Sequence, residues 1–230
     1  MSMPKNFSSS LVCSLQVAVT AIHNGELYVI LEKVKGHSSG TALLTSGIAV
    51  NTANRRENQD LSKLATDLVV KKMHVAPTYV EQVHAFLTPF RPGRESWVNV
   101  TYSAIVKEDT LLHLPETFSL VPAAKLPKLV DDLNFVAEIA LQKMREKANH
   151  STLPFFFLSQ EFTLPELQQA YEILLGRDYT RSNFQRKLLE SAPPYFIELL
   201  PNQQRTSFGR PAQLYRMSPG ARIAIFQKSI

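Results

Sequence analysis

The order of sequence patterns after residue 150 constrains the fold more than any other feature of this chain. Thr163 suits the N-cap of a helix whose apolar positions recur at helical spacing until Gly176, a residue type that favours helix ends. Thr180 then precedes a second predicted helix over 181–190. The two strand-like segments that follow are 195–200 and 213–217, joined by a loop at 201–211. Helix, short turn, helix and hairpin is the order of a winged helix-turn-helix domain.

The charge distribution indicates a partner for this C-terminal unit. The whole chain has a net charge of +5, but from Arg177 onward nine basic residues face three acidic ones. The second helix is rich in Arg, Asn and Gln, which make bidentate contacts to guanine and adenine in the major groove. We therefore predict DNA binding, with base reading by Arg181, Asn183, Gln185 and Arg186 and phosphate contacts from Thr180, Lys187, Arg205 and Arg210. Ser182 completes this DNA-binding set. A solvated basic surface, or a winged helix used for protein contacts, is the alternative.

The first 150 residues predict an α+β domain with a mixed sheet. Asn24-Gly25 between two apolar alternating segments is a strong hairpin signal. Apolar residues at helical spacing predict helices over 60–73 and 131–147, whereas the stretch with Pro115, Pro122 and Pro127 reads as irregular. Further strands are predicted at 41–50, 79–87 and 97–106. A junction at 149–154 divides the chain into domains 1–150 and 151–230.

Composition excludes several classes of protein. An apolar fraction of 44% and a charged fraction of 20% are those of an ordinary globular chain. The single Cys13 excludes a disulfide framework, and the scattered histidines form no metal-binding motif, so we expect no metal site. No run of 18 apolar residues predicts a membrane span, and the segment 7–22 lacks the features of a signal peptide. We predict a cytoplasmic protein without a membrane partner.

Several motifs resemble those of the NrtR-type, Nudix-related transcriptional regulators. Phe162–Glu172 with Leu175-Gly176 is similar to the family's FTLxELQxxYE…LG signature, and Asn183–Lys187 is similar to its NFRRK recognition helix. Gly209–Tyr215 matches its GRPAxLY wing strand, and Tyr79–Gln82 resembles its YxEQ segment. The resemblance implies an N-terminal Nudix-like effector domain and a C-terminal winged helix. It also implies a homodimeric repressor of NAD metabolism genes.

The segment that matches the Nudix helix departs from the Nudix box. Asp67-Leu68 stands where the box has Arg-Glu, Lys71-Lys72 stands where it has Glu-Glu, and His74 replaces its last glycine. Lysines cannot coordinate the Mg²⁺ that such glutamates hold, and their charge repels it. We therefore expect no catalytic residues and a sensor rather than a hydrolase. The missing box suggests the divergent NadQ-like branch of the group.

The expected effector is a nucleotide, with ATP, NAD and ADP-ribose as candidates. Basic side chains suit its phosphates, and the candidates are Lys33, Lys71, Lys72, Arg91 and Arg94. Each of them could equally be a solvated surface charge. Two other functions stay open, namely a nucleotide pyrophosphohydrolase with an accessory winged helix and a protein-interaction scaffold. Whether the effector releases or promotes DNA binding is also open.

Overall fold

A computed structural model describes most of the chain. It covers residues 12–34, 40–48, 60–88, 97–130, 133–191, 197–205, 211–218, 223–226 and 230. In chain order, the strands and longer helices are β1 Val12–His23, β2 Glu26–Lys33, β3 Thr41–Ala42, β4 Leu44–Ile48, α1 Leu61–Met73, β5 Tyr79–Thr88, β6 Trp97–Ile105, β7 Phe118–Pro122, α2 Asn134–Ala148, β8 Glu161–Thr163, α3 Leu164–Leu175, α4 Arg181–Ser191, β9 Ile197–Arg205 and β10 Ala212–Met217.

The predicted hairpin forms the centre of the N-terminal sheet. Asn24 (φ 46°) and Gly25 (φ 78°) adopt the left-handed conformation that a two-residue turn requires. The long strand β1 pairs with β4 along its first half, with β2 along its second half, and with the parallel strand β6 on its other edge. Strand β5 pairs with β6, so the described residues form a mixed sheet of seven strands.

Strand β7 corrects the sequence prediction of an irregular stretch. It pairs antiparallel with β2 from Phe118 opposite Glu32 to Pro122 opposite Tyr28. The prolines that flank this strand interrupt the alternating pattern by which a strand is predicted from sequence. Pro122 is tolerated because it is the last residue of a short strand at the sheet margin, where a missing N–H costs little.

Two helices cover the two faces of this sheet. Helix α1 begins after Asp60, whose carboxylate accepts hydrogen bonds from the N–H groups of Ser62 and Lys63, and it buries Ala65, Val69 and Met73. Helix α2 packs on the opposite face, where its buried residues are Val136, Ala137, Ala140, Leu141, Met144 and Ala148.

Helix α2 begins three positions later than the sequence predicted. Residues 131 and 132 lie outside the described part of the chain, and the first helical residue is Asn134. Its side chain accepts from the Leu129 N–H and donates to the Pro127 carbonyl, which fixes the entry to the helix from outside.

The C-terminal unit has the predicted winged helix-turn-helix order, with a three-stranded sheet in the order β8-β10-β9. Strand β8, which the sequence reading missed, is too short to show alternation, and it pairs with β10 from Thr163 opposite Leu214. Strand β9 continues to Arg205, so the predicted loop at 201–211 was wrong over its first half. The small core of this unit is aromatic, with Phe155, Phe162, Tyr171, Phe184 and Phe226 all buried.

The boundary predicted at residue 150 crosses a continuous core. Leu153 and Leu174, from the C-terminal side, belong to the same buried cluster as Ala137 and Leu141 of α2. The division into domains 1–150 and 151–230 therefore stays a prediction, and the two parts are in direct contact. None of the described helices is long and apolar enough to cross a membrane.

Candidate nucleic-acid interface and sensor surface

Helix α4 buries one side and exposes the other. Phe184 (0% exposed) and Leu188 (2%) anchor it in the aromatic core. The predicted DNA-binding residues Thr180, Arg181, Ser182 and Arg186 are exposed, while Asn183, Gln185 and Lys187 are half-buried. The structure thus brings seven of the nine predicted DNA-binding residues together on one helix and its preceding turn. This is the geometry that a recognition helix needs.

Arg186 is held in place by its own helix. Its guanidinium donates to the Asn183 side-chain oxygen at 3.0 Å and to the two carboxylate oxygens of Glu190 at 3.1 and 3.2 Å. Neighbours three and four residues apart face each other on a helix, which is why these contacts form. Arg186 is thereby extended along the exposed side with its charge partly balanced by Glu190.

The turn between α3 and α4 is pinned by side chains that the sequence reading did not select. Gly176 ends α3 in the left-handed conformation (φ 63°). The Glu172 carboxylate accepts hydrogen bonds from the Tyr179 N–H and from the Gln168 amide, which also donates to the Tyr179 carbonyl. These bonds set the angle at which α4 leaves the turn. Polar Gln168 and Glu172, four residues apart and therefore on one side of α3, were the available signal.

Tyr179 connects this turn to two cations. The Arg177 guanidinium lies 5.2 Å from its ring centroid and the Lys187 ammonium 5.9 Å. Burial raises the pKa of the Tyr179 phenol despite the opposing effect of Arg177, so the ring stays neutral. Lys187, predicted to contact phosphate, is therefore oriented by a cation–π contact rather than extended into solvent.

Arg177 also bridges the helix-turn-helix to the rest of the molecule. Its guanidinium donates at 2.6 Å to the side-chain oxygen of Asn149, directly after α2, and at 2.6 Å to the Ile230 carbonyl. The Tyr171 hydroxyl donates to the Ser151 carbonyl at 2.8 Å, within the same connection. The turn before α4 is thus connected through hydrogen bonds to the end of α2.

The wing is described only in part. Arg205 ends β9 opposite Ala212, and its side chain, like all of Arg210, lies outside the described residues. The pairing of β9 with β10 is irregular between Gln213 and Tyr215, and Pro201 lies in the corresponding stretch of β9. A proline lacks the N–H that a ladder bond requires, which accounts for a bulge there. The phosphate contacts predicted for Arg205 and Arg210 stay predictions.

The predicted effector residues lie at the C-terminal end of α1 and the end of β2. Lys72 forms an ion pair of 2.6 Å with Glu32, and the Lys33 ammonium donates to the Glu116 carbonyl at 2.8 Å. Lys71 is exposed. Arg91 and Arg94 lie outside the described residues. Lys33 and Lys72 therefore have partners within the protein, which leaves Lys71 as the most available of the three described lysines.

His74 occupies the position of the last glycine of a Nudix box. It adopts the left-handed conformation (φ 59°) and ends α1, with its N–H bonded to the Val70 carbonyl. This backbone geometry explains why glycine suits the position. Among the described residues, no cluster of three His, Cys, Asp or Glu side chains could hold a metal ion.

The segment that resembles the YxEQ motif ties β5 to α2. Glu81 forms an ion pair with Lys147, whose ammonium lies 5.7 Å from the Tyr79 ring centroid. Burial, with a smaller contribution from Glu81, raises the pKa of the Tyr79 phenol. These contacts hold the C-terminal end of α2 to the sheet. Asn149, two residues after Lys147, accepts the hydrogen bond from Arg177 of the winged-helix unit.

Comparison with known proteins shows what this arrangement is similar to. Residues 154–217 match the family model of the NrtR DNA-binding winged helix domain. The structure aligns with the crystal structure of Shewanella oneidensis NrtR at a TM-score of 0.78 and 26% identity, covering 95% of this chain and 99% of that one. The C-terminal unit is an NrtR-type winged helix, and the chain as a whole is similar to NrtR.

Two further proteins are similar to this chain. The structure of S. oneidensis NrtR complexed with a 27mer DNA aligns at a TM-score of 0.73 and 26% identity, covering 90% of this chain and 94% of that one. An Acinetobacter baylyi protein, the ADPR responsive transcriptional repressor NtrR, is 26% identical over 215 residues, which are 91% of this chain and 83% of that protein. The predicted α+β architecture, a Nudix-like mixed sheet followed by a winged helix, is confirmed.

Proposed function

We propose that this chain is a transcriptional repressor that binds operator DNA through α4 and responds to a nucleotide in its Nudix-like domain. The observation that carries this function is the exposed row on α4, where Arg186 is aligned by Asn183 and Glu190 above a buried Phe184. The NrtR winged-helix match over 154–217 supports the same function. A repressor must reach chromosomal DNA, and this requirement agrees with the predicted cytoplasmic location.

For operator recognition, we assign direct base contacts to Arg181, Asn183, Gln185 and Arg186, whose side chains suit the edges of guanine and adenine. Ser182 adds a polar contact beside them. Thr180, Lys187, Arg205 and Arg210 would contact phosphates and fix the register. Two chains in a homodimer would place two α4 helices in successive major grooves of a palindromic site.

We infer that the Nudix-like domain senses its ligand without hydrolysing it. Lys71 and Lys72 stand at the predicted positions of the Mg²⁺-binding glutamates. The Lys72 ammonium already forms an ion pair with the Glu32 carboxylate. A cationic helix end cannot assemble the two-carboxylate magnesium site that pyrophosphate hydrolysis uses. A pyrophosphohydrolase with an accessory winged helix is the competing function, and no described contact favours it.

ADP-ribose is the effector that we propose, because the A. baylyi relative is named as responsive to it. ATP and NAD, which share its adenosine diphosphate portion, are the alternatives. Lys33, Lys71, Lys72, Arg91 and Arg94 remain the proposed phosphate contacts, with Lys71 the most available of those described. Target genes in NAD metabolism, and membership of the NadQ-like branch, are further parts of this proposal.

A ligand changes operator affinity only if it binds two states of the protein differently. The described contacts suggest a route for this coupling. The end of α2 is bonded to β5 through Lys147 and Glu81, and it is bonded to the turn before α4 through Asn149 and Arg177. A ligand that moved α2 against the sheet would therefore move α4 against its counterpart in a dimer.

The test is a fluorescence-anisotropy titration of the full chain onto DNA from upstream of NAD-metabolism genes, at fixed salt because phosphate contacts make affinity strongly salt-dependent. Arg186→Ala should remove specific binding, with a loss of at least tenfold, since one good bidentate base contact contributes about 1–3 kcal/mol. Arg145→Ala, an exposed arginine on α2, is the matched control with the same charge change.

The outcomes separate the three functions. Specific binding that ADP-ribose alters, without release of product in the presence of Mg²⁺, supports the sensor-repressor. Product release would establish the hydrolase instead. Equal affinity for operator and unrelated DNA, unchanged by Arg186→Ala, would contradict the recognition-helix assignment and favour a scaffold.

A further inference from the structure

The connection between α2 and the winged-helix unit, residues 149–152, is built unlike a flexible linker. Ser151 is 1% exposed and Thr152 is 0% exposed. Connections that let two domains move independently are exposed, and few contacts cross them. Burial also obliges the backbone N–H and C=O groups of this connection to find partners within the protein. Those partners come in part from a segment after β10, residues 223–226 and 230, which we call the strap.

The strap pairs with the connection through backbone hydrogen bonds. The Ala224 N–H donates to the Thr152 hydroxyl at 2.8 Å, and the Thr152 N–H donates to the Ala224 carbonyl at 3.0 Å. The Phe226 N–H donates to the His150 carbonyl at 2.6 Å, and between these positions the two segments run antiparallel. A movement of one segment past the other would break these bonds.

The strap also packs against both parts of the molecule. Ile223 contacts the apolar cluster between the N-terminal sheet and α2. Phe226 (5% exposed) and Ile230 (0%) belong to the aromatic core that contains Phe184 of α4. Because core side chains are close-packed, a short segment with anchors in two cores holds them at a fixed separation.

Ile230 joins the strap to the turn before α4. Its N–H donates to the Asn149 carbonyl at 3.1 Å, and its carbonyl accepts hydrogen bonds from the Tyr179 hydroxyl at 2.9 Å and the Arg177 guanidinium at 2.6 Å. The same guanidinium donates to the Asn149 side chain, so three parts of the chain meet at Arg177. Its planar donors fix these acceptors in one geometry. The connection, the strap and the turn are therefore bonded to one another.

The contact between α2 and the sheet is of a different kind. The described contacts there are made by side chains, among them the apolar cluster and the ion pair between Lys147 and Glu81. Packed side chains allow a helix to slide by a small shear movement. Paired backbone segments resist the same movement, because it separates donors from acceptors. A displacement is therefore easier between α2 and the sheet than at 149–152.

We propose that the strap joins α2 and the winged helix into one rigid unit, which passes a displacement of α2 on to α4 without a hinge at 149–152. The inference rests on the proposed function, in which a ligand acts through α2, and it names the segment that makes this action effective. Asn149, Arg177 and Ile230 are then positioning residues for α4. Weakening the strap should reduce the response of operator affinity to ADP-ribose more than it reduces ADP-ribose binding.

The first test measures this response. Operator affinity of the full chain is measured by fluorescence anisotropy without and with saturating ADP-ribose, and the ratio of the two dissociation constants is the coupling factor. Thr152→Val removes the acceptor of the Ala224 N–H, and Ile230→Ala removes an anchor. The double variant should bring the coupling factor close to one, with ADP-ribose affinity unchanged in isothermal titration. Thr152→Val alone, which serves if the double variant does not fold, should reduce the factor at least about twofold.

A matched control removes similar groups from the same unit and leaves the strap intact. In Thr163→Val with Leu167→Ala, the lost hydroxyl accepts from the Glu166 N–H of α3, and the truncated side chain lies in the same aromatic core as Ile230. This variant should lose a similar amount of stability but keep the wild-type coupling factor. If the strap only adds stability, the two double variants should have the same coupling factor.

A second test does not depend on the ligand. Native-state hydrogen exchange of the wild-type chain measures how often the Thr152 and Phe226 N–H groups open to solvent. In a rigid unit, both should be protected as strongly as the Leu174 N–H in the buried helix α3. A hinge at the connection would instead let both exchange much faster than Leu174.

The outcomes separate this proposal from the proposed function. Slow exchange at both positions, with a coupling factor lost in the strap variants and kept in the control, establishes the rigid unit. Fast exchange at Thr152 and Phe226, or a wild-type coupling factor in the folded strap variants, overturns it and leaves the proposed function intact. If ADP-ribose does not change the operator affinity of the wild-type chain, the nucleotide response is contradicted, and the exchange rates alone decide whether the unit is rigid.

Discussion

Helices α1 and α4 are anchored alike but present different chemistry to solvent. Helix α1 buries Ala65, Val69 and Met73 against the sheet, and α4 buries Phe184 and Leu188 against the aromatic core. The outward side of α1 ends in Lys71 and Lys72, where a Nudix enzyme has glutamates. The outward side of α4 retains the arginine and amide side chains that suit a major groove.

The difference teaches that apolar anchoring and surface chemistry vary independently. The buried positions of α1 keep the helix in the place of a Nudix helix, and His74 even keeps the backbone conformation of the missing glycine. Changing charged residues on an exposed side costs little stability, so the surface chemistry of a helix can change while the fold persists. The following predictions test this contrast between the two regions.

The largest effects should come from emptying the anchors. Phe184→Ala should lower the free energy of unfolding by about 3–5 kcal/mol and Met73→Ala by about 2–5 kcal/mol, because each leaves a cavity in a packed core. The two regions are expected to carry separate functions. At a low temperature where both variants stay folded, Phe184→Ala should weaken operator binding more than ADP-ribose binding, and Met73→Ala should weaken ADP-ribose binding more than operator binding. Urea titrations and the two binding assays measure this. Loss of both activities together in both variants would contradict the separation.

Alkaline pH should destabilise the winged-helix core through the buried phenol of Tyr171. Burial raises the pKa of the Tyr171 phenol well above its ordinary value. The folded state therefore keeps a proton that the unfolded chain releases above pH about 10, and stability falls there by up to about 1.4 kcal/mol per pH unit. Below that pH this contribution is fully present.

Tyr171→Phe isolates this effect. At pH 8 the variant should be less stable by about 1 kcal/mol, because it loses the hydrogen bond to the Ser151 carbonyl. Above pH 10 the difference should shrink, since the variant has no phenol to ionise at this position. Urea denaturation at the two pH values is the measurement, and a constant difference would rule out the buried phenol as a source of alkaline instability.

Removing the N-terminal caps of α3 and α1 should have an intermediate effect on stability. Thr163 accepts from the Glu166 N–H while the Glu166 carboxylate accepts from the Thr163 N–H, a reciprocal capping box at the start of α3. Thr163→Ala should destabilise the protein by about 1 kcal/mol, and Asp60→Ala at the start of α1 by a similar amount. Thermal unfolding followed by circular dichroism would show this. A neutral Thr163→Ala would mean that tertiary packing alone holds the start of α3.

The smallest predicted effect concerns Glu190. Its carboxylate competes with DNA for Arg186, so Glu190→Gln should raise operator affinity about twofold to fivefold, the range expected for an exposed ion pair. Glu146→Gln, which disrupts a similarly exposed pair with Lys143 on α2, is the control for the change in net charge and should have no effect. Equal gains in both variants would attribute the effect to net charge alone.

Local signals predicted most of the described elements. The turn at Asn24-Gly25, the cap at Thr163 and the stop at Gly176 each act through a few neighbouring residues, and all three lie where the sequence indicates. Strands β7 and β8 could not be predicted in this way. Each exists because a distant strand, β2 or β10, supplies its hydrogen-bond partners.

The candidate sites also differ in whether neighbouring or distant residues form them. The residue types on α4 suffice to predict a recognition helix, because a helix exposes residues in a known order. The ion pair between Lys72 and Glu32, the bridge from Arg177 to Asn149, and the pairing of the strap with 149–152 all join residues far apart in sequence. No local pattern connects them.

The sequence by itself determined the order of most elements, the lysines at the predicted Nudix positions of α1 and the residue types on α4, because these depend on residue type and short-range spacing. Only the tertiary structure decided which charges are already paired, how the turn before α4 is bonded to the end of α2, and which segment pairs with 149–152. Those properties depend on burial and distance. Both arise when strands such as β1 and β6, separated along the chain, come into register.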